Sequence, residues 1–157
     1  MSDPLLNVVL VRPEIPQNTG SIARLTAATG LRLHLVGPLG FSLEDRYLRR
    51  AGLDYWPMVD LSTYENIEAF FSAHRAGPFK LFSARASHSY IQAQFAPGDY
   101  LLFGSETKGL GRTILGSGIG PAYRIPIFEP AVRSLNLSNA VSIVVYEALR
   151  QFGRLET

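Results

Sequence analysis

The chain has no cysteine, which removes disulfides, thiolate nucleophiles and cysteine-containing metal sites together. The absence is also compatible with the cytoplasm, the expected location. No apolar run approaches the ~18 residues of a membrane span, and Met1-Ser2-Asp3-Pro4 lacks the basic start of a signal peptide. No membrane association is therefore expected. Lysine is nearly absent: of 15 basic residues only Lys80 and Lys108 are lysine, and the rest are arginine. Arginine's planar fork suits bidentate phosphate binding and base stacking, although a GC-rich genome produces the same bias. A net charge of +2 does not by itself indicate a nucleic-acid partner. There is no internal repeat, low-complexity tract or linker.

What is present describes a globule. A length of 157 residues with 46% hydrophobic and 18% charged residues predicts a single domain over 1–157. Such a domain buries roughly two-thirds of its unfolded surface. Leu5 to Val11 is a compact apolar run, broken once by Asn7, and reads as a strand buried on both faces. Two prolines in Arg12 to Gln17 end it. A helix follows, with Asn18 as its cap and Gly30 as its stop, and Leu31 to Val36 gives a second strand. Phe41 to Arg50 reads as a short helix, with Ser42 and Asp45 at capping-box spacing. A second box, Ser62 with Glu65, predicts a helix through Phe70 and Phe71 that Gly77-Pro78 ends. Lys80 to Ala84 and Tyr100 to Phe103 are strands. Leu137, Ala140, Val141, Val144 and Ala148 recur at helical spacing and predict a C-terminal helix with one buried face. The alternation predicts an α/β domain with a mainly parallel sheet flanked by helices.

Most catalytic signatures fail. In Gly104 to Arg112 a Walker loop needs lysine directly after the second glycine, where Leu110 stands. A dinucleotide fingerprint from Gly109 needs glycine or alanine at Ile114. No serine sits in a Gly-x-Ser-x-Gly elbow. His34, His74 and His88 lack metal-ligand spacing, so no metal is expected. His34 reads as structural, His74 as a partner of a helix dipole, and His88, beside Arg85, as the one functional candidate among the three. Glu106 and Glu129 both follow strands, and spacing leaves open whether they meet.

Three polar segments remain, each just after a strand: Asn18 to Arg24, Gly104 to Gly111, and Ile125 to Asn139. In a parallel sheet those ends share one edge and can converge on one site. The last segment carries Ser134, Asn136, Ser138 and Asn139 ahead of an apolar helix, more capping residues than one helix start uses. Either the helix is generously capped or its start faces a ligand.

Asn18-x-Gly20-x-x-x-Arg24, Gly104-x-Glu106-x-x-Gly109-Leu110 and Ser134-Leu135-Asn136-Leu137-Ser138-Asn139-Ala140 resemble the three motifs of the SPOUT RNA methyltransferases. Pro13-Glu14-Ile15-Pro16-x-Asn18-Thr19-Gly20, Leu48-Arg49-Arg50-Ala51-Gly52-Leu53-Asp54-Tyr55 and Val144-Val145-Tyr146-Glu147-Ala148 resemble its short TrmL-type subgroup. The likeness spans nearly the whole chain. It implies a SPOUT fold with a C-terminal deep trefoil knot, against which general topology rules would argue. It also implies S-adenosyl-L-methionine as methyl donor, a homodimer with active sites at the subunit interface, and methylation of the ribose 2′-hydroxyl of the wobble nucleotide in tRNA. The nucleotide is cytidine or modified uridine, leucine tRNAs are the expected substrates, and the anticodon stem-loop is the expected contact.

By position, the resemblance places donor contacts at Ala84, Gly104, Ile125, Ser134 and Asn136, many through backbone groups. Gly104 is expected to let the chain approach the ligand closely. Arg24 is the expected catalytic residue, orienting a phosphate and stabilising a developing alkoxide. Asn18, Arg49, Arg50, Arg133 and Tyr146 are expected RNA contacts. For Arg49 and Arg50 the other reading is a solvated helix face, and for Tyr146 it is packing or the second subunit. Glu106 is a motif residue without an assigned role. Arg12, Ser21 and a slightly long Phe128-to-Val132 loop depart from the pattern. The rival readings are a 2′-O-methyltransferase acting elsewhere on tRNA or rRNA, and a knotted RNA-binding protein without catalysis. A dinucleotide oxidoreductase is more remote, because the glycine spacing fails.

Overall fold

A computed structural model describes residues 3–52 and 55–156, with the side chains at 51 and 52 also outside the description. Leu53 and Asp54, in the Leu48-to-Tyr55 motif, therefore lie outside the described residues. The elements run β1 (Asn7–Val11), α1 (Pro16–Thr29), β2 (Arg32–Val36), α2 (Arg46–Gly52), β3 (Asp60–Tyr64), α3 (Ile67–Ala73), β4 (Phe79–Phe82), β5 (His88–Ser89), β6 (Tyr100–Phe103), α4 (Gly111–Leu115), β7 (Ala122–Arg124) and α5 (Leu137–Gln151). The seven strands form one sheet in the order β3-β2-β1-β6-β4-β7-β5, and every pairing is parallel.

The apolar run of β1 is explained by its place in mid-sheet, where all five residues are buried. Successive side chains point to opposite faces. Val8 and Leu10 join Leu33, Leu35, Leu101 and the inner faces of α1 and α5, while Val9 and Val11 meet Leu102, Leu81 and Phe70 of α3. On α5 the buried stripe is Val141, Val144, Val145, Ala148 and Leu149; of the residues read from sequence Val141, Val144 and Ala148 lie in it, while Leu137 and Ala140 are half-buried at the cleft. Gly30 ends α1 at φ 69°, a left-handed conformation that costs glycine little.

Local capping departs from the sequence reading at three places. Asn18 is not the cap of α1: the helix starts at Pro16 behind Ile15, and the Asn18 side chain is buried and used elsewhere. Pro16 needs no donor at this first position, so the helix can begin three residues earlier. Ser42 does not open α2. The Asp45 carboxylate accepts from Tyr47 N (2.8 Å) and Leu48 N (3.3 Å), and the helix begins after it. The Ser62–Glu65 box does not exist, because Asp60–Tyr64 pairs with β2 as an edge strand. Asn66 then caps α3 by accepting from Ala69 N at 2.8 Å. Short apolar runs beside charged residues suit an edge strand as well as a helix, and here sheet pairing decided.

His74 is also reassigned. It closes a buried chain of side chains on the α3 face of the sheet. Asn7 Nδ2 faces the carbonyls of Gly98 and Asp99, which only accept, so Asn7 Oδ1 must face His34 Nε2 at 2.8 Å. His34 Nε2 therefore donates, and His34 Nδ1 accepts from the Tyr64 hydroxyl at 2.9 Å. Tyr64, its one proton used, accepts from His74 Nε2 at 2.8 Å, and His74 Nδ1 accepts from the Tyr100 hydroxyl at 2.9 Å. The chain closes only with both imidazoles neutral. Burial holds both below their ordinary pKa, His34 at about 3. A neutral His74 offers the helix dipole no charge.

Candidate functional site

The carboxyl edge of a parallel sheet is where α/β proteins bind ligands. Here a cleft of about 1030 Å³ opens across the ends of β4, β6 and β7, beside the first turn of α1 and the start of α5. One wall is apolar, with Phe82, Phe103, Leu110, Tyr123, Ile125 and Leu137. Residues of two largely irregular segments, 104–111 and 133–136, also line it. Ala84, Gly104, Ile125, Ser134 and Asn136 all border this cleft, as do Asn18, Glu106 and Arg133. The fold thus brings together residues from all three polar segments.

Gly104 has a reason to be glycine within the chain itself. A Cβ there would lie 1.9 Å from the Gly109 carbonyl carbon and 2.1 Å from Leu110 N. The loop itself occupies that space. Reciprocal bonds from Ser105 N to Gly109 O (3.2 Å) and from Gly109 N to Ser105 O (2.9 Å) close it.

Glu106 gains a clear contact set. Its Oε1 accepts from Glu14 N at 2.8 Å, and its Oε2 accepts from Ile15 N at 2.9 Å and from Asn18 Nδ2 at 3.2 Å. Glu14 returns the contact: its Oε1 accepts from Thr107 N (3.0 Å) and Thr107 Oγ1 (2.7 Å). Those bonds from Thr107 hold the Glu14 carboxyl below its usual pKa. Two carboxylates thereby clasp the chain before α1 to the loop after β6. Asn136 extends the clasp, donating from Nδ2 to Asn18 Oδ1 at 3.1 Å. Its Oδ1 accepts from Ser138 N (2.9 Å) and Asn139 N (3.3 Å), which caps α5. The surplus of polar residues before α5 therefore has two uses at once. Glu14 and Thr107 were missed by sequence reasoning, and the only signal was the acid set between Pro13 and Pro16. Glu129 does not join the clasp; it accepts from Ala131 N at 3.1 Å within its own loop.

Charge around the cleft is one-sided. Arg85, Lys108, Arg112 and Arg133 border it, against Glu106 alone, whose two oxygens are taken by three donors. A polyanion is favoured at the mouth. The apolar wall and the polar residues beside it suit a flat heterocycle with a polar tail, in a volume at the upper edge of that of small-molecule sites. Among the described residues no group of His, Asp and Glu is arranged to hold a metal.

Arg24, Arg49, Arg50 and Tyr146 do not border the cleft. Arg24 is exposed on α1, its guanidinium 4.7 Å from the Tyr55 ring centroid and 3.4 Å from the Tyr55 hydroxyl. Arg49 pairs with Glu44 at 3.3 Å and lies 5.2 Å from the Trp56 ring centroid. Arg50 is exposed, and Tyr146 is 45% exposed on α5 near Ile143. Tyr146 is not packed into the chain's own core. His88 is exposed on β5 and does not border the cleft.

Comparison with known proteins agrees with this geometry. The tRNA (cytidine(34)-2′-O)-methyltransferase of Escherichia coli strain K12 is 45% identical over 150 residues, covering 95% of each chain. A solved structure described as giving insights into the 2-OH methylation of C/U34 on tRNA superposes with a TM-score of 0.91 at 49% identity, over 96% of this chain and 97% of that one. An AdoMet-bound rRNA methyltransferase from Sinorhizobium meliloti superposes with a TM-score of 0.84 at 28% identity, over 95% of this chain and 57% of that one. The model of the SpoU rRNA methylase family matches residues 5–146. With its seven-stranded parallel sheet and its cleft at the carboxyl edge, the chain belongs to the SpoU rRNA methylase family.

Proposed function

We propose that the protein methylates the ribose 2′-hydroxyl of the wobble nucleotide, position 34, of tRNA, as the names of its relatives say of them. The methyl donor is S-adenosylmethionine and the working form is a homodimer. The observation that carries the reading is the single cleft to which all three motif segments contribute, walled by apolar side chains and rimmed by four cations. The reading includes the family's C-terminal trefoil knot, with the 104–111 and 133–136 segments as its donor-facing loops.

Bound there, the donor supplies a methyl group on a good leaving group, so the oxygen–methyl bond forms as the sulfur–methyl bond breaks. The chain's own residues do the positioning. Phe82, Phe103 and Leu110 exclude water from one side, and the polar residues of 104–111 and 133–136 line the same space. Ser134 and Asn136 border the same space. The clasp through Glu106, Asn18 and Asn136 holds α1, the loop after β6 and α5 in one register, and orientation is the larger part of such a displacement. Arg133 meets RNA phosphate at the rim.

Arg24 points to the second subunit. It does not border its own cleft, yet it lies on α1, which packs against α5, whose Ile143 and Tyr146 are 36% and 45% exposed. A second copy seated on this face brings its Arg24 towards the first cleft. A guanidinium has no acceptor lone pair, so Arg24 holds a substrate phosphate and stabilises the developing alkoxide, while the hydroxyl proton leaves to water. The test is methyl transfer from labelled donor to unmodified tRNA, with the modified nucleotide mapped. Label on the ribose of nucleotide 34 is expected, and label at another position overturns the assignment.

A further inference from the structure

The surface made by α1, α2 and the turn after α2 carries three arginines laid on three aromatic rings. Arg24 lies 4.7 Å from the Tyr55 centroid, Arg46 4.8 Å from Tyr47, and Arg49 5.2 Å from Trp56. Each arginine is also tied by a hydrogen bond. Arg24 donates to the Tyr55 hydroxyl (3.4 Å), Arg46 to the Tyr47 hydroxyl (2.8 Å), and Arg49 to Leu43 O (3.1 Å). Leu48 of α2 is fully buried, and α2 packs against α1. The cost of ordering these long side chains is therefore largely met in the free protein.

Among the described residues the charge on this surface is unbalanced. Glu44 pairs with Arg49, and Asp45 is occupied in capping α2. Among the described residues no carboxylate pairs with Arg24, Arg46 or Arg50. Tyr47 is 41% exposed beneath Arg46, an apolar ring that a plain phosphate contact does not use. Cations interleaved with aromatic rings are the means by which proteins hold unstacked bases of single-stranded nucleic acid. A folded acidic protein would satisfy the charge but not the rings.

We propose that the Arg24–Tyr55, Arg46–Tyr47 and Arg49–Trp56 pairs form a stacking platform for the unpaired loop bases that flank the methylated nucleotide. The proposal rests on the wobble-methylation reading, and it adds the surface that holds the rest of the loop. Because Arg24 belongs to both, the platform begins at the phosphate of the reacting nucleotide and extends along α2. Bases splayed onto it leave the loop's own stack, which frees the target ribose to enter the cleft.

Trp56 is the chain's sole tryptophan, so its fluorescence reports this surface alone. The full-length protein is titrated with an anticodon stem-loop RNA, and with the same RNA made abasic at the loop positions beside the target. Binding is followed in parallel by anisotropy of a dye on the RNA stem. Saturable quenching of Trp56 by the intact loop, and little by the abasic loop at matched occupancy, is expected. Removing one stacking partner, Tyr47→Leu, is expected to raise KM for RNA about 5- to 10-fold with kcat within about 2-fold. Equal quenching by both RNAs, or an unchanged KM in Tyr47→Leu with normal methyl transfer, overturns the platform. Quenching by the intact loop alone without any methyl transfer supports the platform and removes the methylation reading instead.

Discussion

Acid should unfold this protein through His34. The ring is fully buried, donates to Asn7 Oδ1 at 2.8 Å and accepts from the Tyr64 hydroxyl at 2.9 Å, so a second ring proton would have to displace the hydroxyl proton that now fills Nδ1. Protonation would turn Nδ1 into a donor facing Tyr64, which already accepts from His74. Burial lowers the pKa of His34 from 6.5 to about 3 in the folded protein. Above pH 6.5 the imidazole is neutral in both states and contributes no pH dependence. As pH falls below 6.5 the unfolded chain takes up a proton that the folded chain refuses, so stability is lost until the folded pKa is reached. The slope is about 1.4 kcal/mol per pH unit per histidine, about 2 kcal/mol at pH ~5 and about 5 kcal/mol at pH ~3. His74, lowered by the same cause, adds in the same direction.

The assay is urea unfolding at fixed protein concentration between about pH 7.5 and 5, above the range where carboxylates titrate. His34→Gln should be less stable at neutral pH but should lose a slope of about 1.4 kcal/mol per unit in the acid half of the window. Equal slopes in wild type and variant would refute the reasoning, because the chain of Asn7, His34, Tyr64, His74 and Tyr100 would then tolerate a charge.

Four further outcomes are expected. Gly104→Ala forces a methyl group to 1.9 Å from the Gly109 backbone, so it should cost about 1–3 kcal/mol of stability and abolish donor binding in a calorimetric titration; wild-type affinity would show that the loop yields. Glu106→Gln replaces one of two oxygens that serve three donors and should cost about 1–3 kcal/mol in chemical denaturation, with kcat falling more than KM changes. Arg24→Lys keeps the charge and loses the planar fork, so kcat should drop about tenfold or more; retention of most of kcat would count against bidentate holding of phosphate. Arg133→Ser should lower the slope of log affinity for RNA against log salt by about 1, and an unchanged slope would remove Arg133 from the phosphate contacts.

Much of the fold was legible from periodicity. The apolar run at 8–11 in β1, the burial of Val141, Val144 and Ala148 on α5 and the stop at Gly30 stand as read, because each reports burial or backbone conformation that the residue types themselves encode. What failed was local competition. Ser62 and Glu65 have capping spacing, yet the pairing of Asp60–Tyr64 with β2 outweighs a cap of about 1 kcal/mol. Asn18 is a good cap by type, yet Glu106, 88 residues away, draws its side chain into the clasp.

The candidate site divides along the same line. The residue types in 18–24, 104–111 and 125–139 announced polar chemistry just after strands, and an all-parallel sheet then places such ends on one edge. By itself the sequence determined which segments line the cleft and that the helix start at Asn136 carries more polar groups than a cap needs. Only the tertiary structure decided what they hold: Glu106 against the chain before α1, Asn136 against Asn18, and the Gly104 backbone against Gly109. It also decided that Arg24 lies against Tyr55 rather than along its own cleft. Those are contacts between groups far apart in the chain, set by the crossing of elements, and no local pattern of residue types carries them.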